Sequence, residues 1–216
     1  MERLCAKARL HRTGPGRNSR HLLEERNEVV NDTLAESARA AHDWGLASWL
    51  GGSMYGKFAL NPAVRQIHDK TERGKVVNAA WNGYNVINAV SLGSVAAGWF
   101  ASRVTETRPD RLTERERKLA LAKDGLTLAA LGTGIASALQ GAKLARQAPE
   151  GAVPIEGGTK PASETPPEAA KAQRSLNGLG LANIGAGVGL VIVNALMSQA
   201  GHSRPPLKRS LLRRSS

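Results

Sequence analysis

The chain has 216 residues, a formal net charge of +12 and one cysteine, which excludes a disulfide framework within the chain and a cysteine-based metal site. A positive charge of this size is typical of nucleic-acid binding. Here, however, the basic residues cluster at the edges of apolar blocks, a distribution that sets orientation in membrane proteins. We therefore expect the lipid bilayer, and no nucleic acid, as the partner.

The N-terminal region is basic and polar. Residues 1–32 contain glycine and proline at 14–16 and predict a disordered tail. They lack the continuous apolar segment of a secretory signal peptide, and an upstream start codon chosen in error would also explain them. Thr33 and Glu36 stand at capping-box spacing and predict the start of the first helix, which should end at the Asn–Pro pair at 61–62.

Four segments are candidates for membrane-spanning helices. The clearest covers 76–102, which contains no charged residue. Trp81 and Trp99 lie near its ends, about 27 Å apart in a helix, close to the hydrocarbon thickness of a bilayer. A long buried helix of a soluble bundle would also explain this segment. The other candidates cover 44–60, 125–142 and 175–201, and the first three helices together occupy 33–143.

The connections carry most of the charge. Thr113 and Glu116 precede the third span and again predict a helix N-cap. The connection at 144–174 is rich in proline, glutamate and alanine, which predicts a flexible exposed loop that buries no core. Residues 202–216 form a second basic tail, so the expected fold class is all-α, a four-helix transmembrane bundle with disordered basic tails.

The distribution of basic residues predicts the orientation of this bundle. Lysine and arginine number 20 in the two tails and the central connection, against 10 on the opposite side. Because positive residues favour the cytoplasmic side, we expect both termini in the cytoplasm, the 144–174 loop outside, and a location in the inner (plasma) membrane.

Asparagine recurs along the second span. Asn78, Asn82 and Asn85 fall within about 60° of one another on a helix. An amide that faces lipid is costly, so we expect these side chains to point into the bundle. Two interpretations stay open: hydrogen bonds between helices, or a polar lining for a small ligand or an ion path.

Small residues recur at four-residue spacing, which in membrane helices indicates close packing. Gly52 and Gly56 form such a pair in the first span. Gly185 and Gly189 form a GxxxG pair in the fourth span, and Gly134 in the third offers a surface to match it. Chance in a glycine-rich chain would also produce such pairs.

The sequence contains no HExxH motif, nucleophile elbow or phosphate-binding glycine loop after a strand. We expect no catalytic residue, no metal and no cofactor, and we interpret the chain as a packing or assembly protein that forms a homo-oligomer or joins a partner membrane subunit. The alternative is a small-molecule carrier or a membrane-embedded redox enzyme that uses the asparagine face of the second span.

Two segments carry a resemblance to known proteins. WLGGSMYGKFALNP at 49–62 and WNGYNVIN at 81–88 resemble small four-span bacterial inner-membrane proteins of unassigned function and, distantly, the anthrone-oxygenase-like group. The resemblance covers the first two spans and implies a four-span membrane fold. It carries over no catalytic residue.

Overall fold

The computed structural model describes residues 15–105, 112–148 and 151–202. Helices dominate these ranges, which confirms the all-α fold class. The helices are α1 Pro15–Tyr55, α2 Asn61–Ala63, α3 Lys70–Thr105, α4 Glu114–Arg146 and α5 Pro167–His202. Between α4 and α5, strands β1 Ile155–Gly157 and β2 Lys160–Pro161 form an antiparallel hairpin that pairs Ile155 with Pro161 and Gly157 with Lys160.

The chain divides into two compact units, Met1–Ser37 and Ala38–Ser216. The first unit differs from the predicted disordered tail, because helix α1 already begins at Pro15. A proline at the start of a helix supplies a suitable φ and loses no hydrogen bond. Thr33 is not a helix cap, since its hydroxyl donates to the carbonyl of Val29 at 2.9 Å within α1. The rest of the predicted tail, residues 1–14, lies outside the described residues, as do 203–216 of the predicted C-terminal tail.

The helical path runs beyond the Asn–Pro pair at 61–62, where the sequence predicts its end. A π-helical turn, Gly56–Leu60, leads from α1 into α2, and a 3-10 turn, Val64–Gln66, follows. Pro62 lies in the first turn of α2, where the missing backbone N–H costs least. The path becomes extended only at Ile67.

Side-chain caps fix the starts of the next two long helices. The Glu72 backbone N–H donates to the Asp69 carboxylate at 2.8 Å at the start of α3. At α4, the Thr113 N–H donates to the Glu116 carboxylate at 2.9 Å, and the Glu116 N–H donates to the Thr113 hydroxyl at 3.4 Å. The N-cap predicted at Thr113 is therefore confirmed.

The four long helices meet in one hydrophobic core, called here the bundle core. Its largest fully buried side chains are Trp49, Val95 and Leu190, each at most 1% exposed. Helices α4 and α5 pack along each other. The bundle core consists of Leu46, Trp49, Val95, Ala130, Ala186 and Leu190, with Leu92 and Leu126 packed against it.

The segment after α4 differs from the predicted flexible loop. Val153 and Ile155 are 5% and 2% exposed, because they pack into a second cluster at one end of the bundle, called here the cap core. Composition alone predicts no core here, but burial of a few apolar side chains against α3 and α5 stabilises the hairpin. The cap core consists of Val64, Val77, Val153, Ile155 and Ala169.

Candidate functional site

Large apolar side chains are exposed on the outward faces of the four long helices. The exposed fraction of their large side chains runs from 40% at Met54 to 70% at Val86. Inside the bundle, by contrast, Ser91 and Thr127 are fully buried and Asn183 is 7% exposed. Fifteen of the exposed large apolar side chains, called here the apolar belt, are Trp44, Met54, Phe58, Val86, Ile87, Val90, Phe100, Leu121, Leu128, Ile135, Leu139, Leu181, Val188, Val191 and Ile192. In a soluble bundle, by contrast, large apolar side chains lie mostly inside and polar side chains mostly face water.

Two helices of the described chain are long and apolar enough to cross a membrane. They are Glu114–Arg146, whose most apolar 18 residues have a mean hydropathy of 1.2, and Pro167–Ala200, whose most apolar 18 residues have 1.9. Only 17% and 28% of their apolar windows are buried inside the protein, whereas a core helix of a soluble protein is mostly buried. The segments 44–60 and 76–102 do not meet the same criterion.

The segment 76–102 shows why the absence of charged residues predicts a membrane-spanning helix less well than the mean hydropathy does. It contains four asparagines besides its apolar residues. An amide loses strong hydrogen bonds to water when it enters hydrocarbon, so an uncharged helix is not necessarily an apolar one.

Glycines of α1 and of the π-helical turn contact aromatic rings of α3. The ring of Tyr84 lies against Gly52, and a Cβ on Gly56 would lie 2.5 Å from the ring of Trp81. The two rings meet edge to face with centroids 5.9 Å apart. The Tyr84 hydroxyl donates to the backbone carbonyls of residues 48–49 at 3.0 Å. Both predicted packing glycines of the first span thus lie in a helix contact.

An amide on α5 joins the last two helices. Asn183 Nδ2 donates to the carbonyl of Ala130 at 3.2 Å and to the hydroxyl of Thr133 at 2.9 Å. Gly134 lies beside this contact, where a Cβ would be 3.0 Å from Leu92 Cδ1 and 4.0 Å from Asn183 Nδ2. The sequence predicts hydrogen bonds between helices from asparagines of the second span. In the structure, an asparagine of α5, Asn183, makes such bonds.

The two members of the predicted GxxxG pair have different surroundings. A Cβ on Gly189 would lie 2.9 Å from Leu126, but a Cβ on Gly185 would have no neighbour within 4 Å among the described residues. Gly187, by contrast, is buried, and a Cβ there would lie 3.1 Å from the ring of Trp49. A four-residue spacing identifies one helix face but does not say which way that face points.

The three asparagines predicted to line the bundle do not meet inside it. Asn78 Nδ2 donates to the carbonyl of Gly151 at 2.9 Å and so holds the segment before the hairpin. Asn82 and Asn85 are exposed on the outward face of α3. The described residues therefore form no asparagine-lined path through the bundle.

A lysine lies in the π-helical turn. Lys57 Nζ donates to Asn177 Oδ1 and so joins the end of α1 to α5. π-helical turns occur frequently at functional sites. Within the predicted first span, Lys57 is the only charged side chain, and its hydrogen bond to an amide reduces the cost of its partial burial.

Polar contacts hold the cap core over the end of the bundle. Arg73 donates to the carbonyl of Ile67 at 2.6 Å and to that of Glu156 at 3.1 Å. A cavity of about 20 Å³ lies beside Val77 and Gln173, which is room for about one water molecule. Gln173 Oε1 is buried and has no hydrogen-bond partner among the described residues.

The opposite end of the bundle carries an ion pair. The Arg103 guanidinium donates to Asp124 Oδ2, and the Trp99 indole N–H donates to Asp124 Oδ1 at 2.8 Å. Asp124 is therefore paired with α3. The Asp124 carboxylate forms an ion pair with Arg103.

His42 lies at the same end and is 3% exposed. Its Nδ1 lies 3.2 Å from Asp43 Oδ1, and its Nε2 has no partner in the described part of the chain. Burial lowers the pKa of His42, and the positive charge of Lys123 lowers it further, against the opposing effect of Asp43.

The described residues contain no group of three or more histidine, cysteine, aspartate or glutamate side chains that could hold a metal ion. Comparison with protein-family models, with curated proteins and with solved structures found no match. The resemblance to the anthrone-oxygenase-like group stays a prediction. The function is therefore argued from the surface and the helix contacts.

Sequence reasoning missed a close approach between α1 and the backbone of α3. A Cβ on Gly45 would lie 2.6 Å from the carbonyl oxygen of Ser91. The signal was present, since Gly45, Trp49, Gly52 and Gly56 follow one another at intervals of four, three and four residues, which places them on one helix face.

Proposed function

We propose that the chain is an integral membrane protein whose four long helices cross the bilayer, and that it acts as a packing or assembly subunit rather than as an enzyme. The observation that carries the proposal is the apolar belt, which extends over all four helices while Ser91, Thr127 and Asn183 lie inside. In water, exposed apolar patches of this extent mark contact with another protein or with a membrane.

The bundle core supports four spans rather than two. Ala130 and Leu190 belong to the two helices that are apolar enough to cross a membrane. Trp49 and Val95 pack into the same cluster from α1 and α3. If α4 and α5 span the bilayer, the segments 44–60 and 76–102 therefore lie at the same depth, and tight contacts with the other helices compensate for their lower hydropathy.

The charge distribution supports an orientation with both termini in the cytoplasm of the inner membrane. The cap-core side carries 10 lysine and arginine residues against 20 in the tails and the central connection. On the cap side, some of these charges are paired: Lys70 lies 3.0 Å from Glu164, and Arg73 lies 3.6 Å from Glu156.

Extraction tests the membrane location. We expect the expressed chain to stay with the membrane fraction after an alkaline carbonate wash and to need detergent for release, because about 30 Å of apolar surface on each helix would face lipid. Release of the chain by carbonate alone would contradict the proposal.

Reporter fusions test the four-span topology. Fusions after Lys70 and Thr159 should read as external, and a fusion after Ser216 as cytoplasmic. A cytoplasmic reading after Thr159, together with one after Ser216, would contradict four spans and show that α4 and α5 do not cross the membrane as a pair.

The carrier alternative receives no support from the asparagine face. Asn82 and Asn85 point away from the bundle, and the cavity beside Gln173 has room for about one water molecule. A carrier of small apolar molecules would need a larger internal site.

A further inference from the structure

We propose that the cavity beside the cap core is a binding site for one water molecule, which bridges polar side chains of α3 and α5. The cavity volume of about 20 Å³ is above the roughly 10–15 Å³ that a water molecule requires, and it leaves no room for a larger ligand. The site lies at the cap end of the bundle, so its test does not depend on whether the long helices cross a membrane.

Close backbone contacts hold the walls of the cavity in place. Two of its wall residues are glycines: a Cβ on Gly74 would overlap the carbonyl of Val153, and a Cβ on Gly158 would overlap Asn61 Oδ1. Because α3 and the hairpin segment already touch at these points, the cavity cannot close by moving them together. The apolar part of the wall consists of Val77, Leu144, Val153 and Ile155.

One polar residue of the wall requires a donor. Gln173 on α5 is 2% exposed, and its Oε1 has no hydrogen-bond partner within the described ranges. An amide oxygen that is buried without a hydrogen bond is costly, so buried oxygens are almost always paired with the protein or with ordered water. Since Gln173 lines the cavity, a water molecule held there can donate to its Oε1.

Two asparagines supply further partners, as a buried water molecule needs more than one. Asn78 on α3 also lines the cavity, and its amide has a second N–H besides the one that donates to the Gly151 carbonyl at 2.9 Å. Asn61 is 6% exposed, and its Oδ1, which lies against Gly158 of the wall, has no partner in the described part of the chain. The water molecule can therefore accept from Asn78 and donate to both Gln173 and Asn61.

Magnetisation transfer from water tests whether the site is occupied. In NMR spectra of the detergent-solubilised chain, we expect cross-peaks between water and the side-chain amides of Gln173 and Asn78, with the opposite signs of NOE and ROE that mark a long-lived bound water. Gln173→Met, which is similar in shape but has no amide, should lose the cross-peak at Asn78. If Gln173→Met does not fold, the parent spectrum alone decides, because a parent chain without either cross-peak would overturn the proposal.

A larger side chain in the wall tests the site by the sign of its effect. Val77→Ile adds one methylene group, which should displace the water molecule, leave Gln173 unpaired and lower the midpoint of thermal unfolding. In a dry cavity the same group would gain contacts and raise the midpoint. Val191→Ile, an exposed control on α5, should not shift it.

The Gln173→Met background separates loss of the water molecule from simple overpacking. There, Val77→Ile should no longer lower the midpoint, because no amide oxygen is left unpaired. A Val77→Ile chain that is more stable than the parent, or an equal loss in both backgrounds, would overturn the proposal.

A change of salt separates water from a small cation, which amide oxygens also bind. Thermal unfolding in sodium, potassium and choline chloride at one ionic strength should give the same midpoint, because water is present in all three. A midpoint that rises with the concentration of sodium or potassium, but not of choline, would place a cation in the cavity and overturn the assignment of water.

Discussion

The contact between α1 and α3 and the contact between α4 and α5 achieve close helix packing in different ways. In the first, glycines of α1 and of the π-helical turn face the backbone and the aromatic rings of α3, as at Gly45, Gly52 and Gly56. In the second, alanines of both helices enter the bundle core, and one amide, Asn183, donates across the contact. Added volume should therefore disrupt the first contact most, and loss of a hydrogen bond the second.

The largest effect is expected from Gly45→Leu. The new Cβ would lie 2.6 Å from the Ser91 carbonyl oxygen and 2.9 Å from Ser94 Cβ, and a backbone atom cannot move aside as a side chain can. We expect a loss of about 3 kcal/mol or more in the free energy of unfolding, measured by denaturation in detergent. Gly51→Leu, on the open side of α1, is the matched control and should change little.

Gly187→Leu tests the place where the two pairs of helices meet. A Cβ there would lie 2.9 Å from Leu50 and 3.1 Å from the Trp49 ring, which are side-chain atoms with some freedom to move. We expect a destabilisation of about 1–3 kcal/mol. Gly185→Leu should be close to neutral for the single chain, and a larger effect at Gly185 than at Gly187 would contradict the orientation of α5.

Asn183→Leu tests the amide between α4 and α5. Removal of its hydrogen bonds to Ala130 and Thr133 should cost about 0.6–2 kcal/mol in thermal or denaturant stability. Asn82→Leu is the control for an amide outside the bundle, and the folded single chain should tolerate it. Equal destabilisation by both substitutions would show that Asn82 also contributes to the fold of the single chain.

These contrasts show what the sequence could predict. Four helices follow from long apolar segments, and the cap at Thr113 follows from local capping chemistry, and both are features of neighbouring residues in the sequence. The capping-box spacing at Thr33 misleads, because the same residues fit within a helix. The orientation of Gly185 and Gly187 depends on where Trp49 of another helix lies, and no local pattern contains that information.

The hairpin shows a second limit. Proline and glutamate around Val153 and Ile155 predict disorder, yet both side chains are buried in the cap core. Contacts with α3, which is distant in sequence, stabilise this segment. One of these contacts is the hydrogen bond from Asn78 to the carbonyl of Gly151. The same asparagine therefore holds the cap instead of lining the bundle.

The smallest effect concerns pH. Burial lowers the pKa of His42 below the ordinary value of 6.5, so the unfolded chain takes up a proton before the folded chain does. Stability should be fully present above about pH 6.5 and decrease as the pH falls toward the folded-state pKa. Thermal unfolding between about pH 5 and 8 should show this slope, and His42→Gln should flatten it. A parent chain that gains stability on acidification through this range would contradict the burial of a neutral His42.

The central claim is that the apolar belt faces lipid. Spin labels on single cysteines at Ile135 and Val188, in a Cys5→Ser background, test it most directly in reconstituted vesicles, with Lys160→Cys in the hairpin as the water-exposed reference. We predict that the labels at Ile135 and Val188 collide readily with dissolved oxygen and hardly with a water-soluble nickel chelate, and that the label at Lys160 behaves in the opposite way. Nickel accessibility at Ile135 and Val188 equal to that at Lys160 would contradict a membrane-embedded bundle.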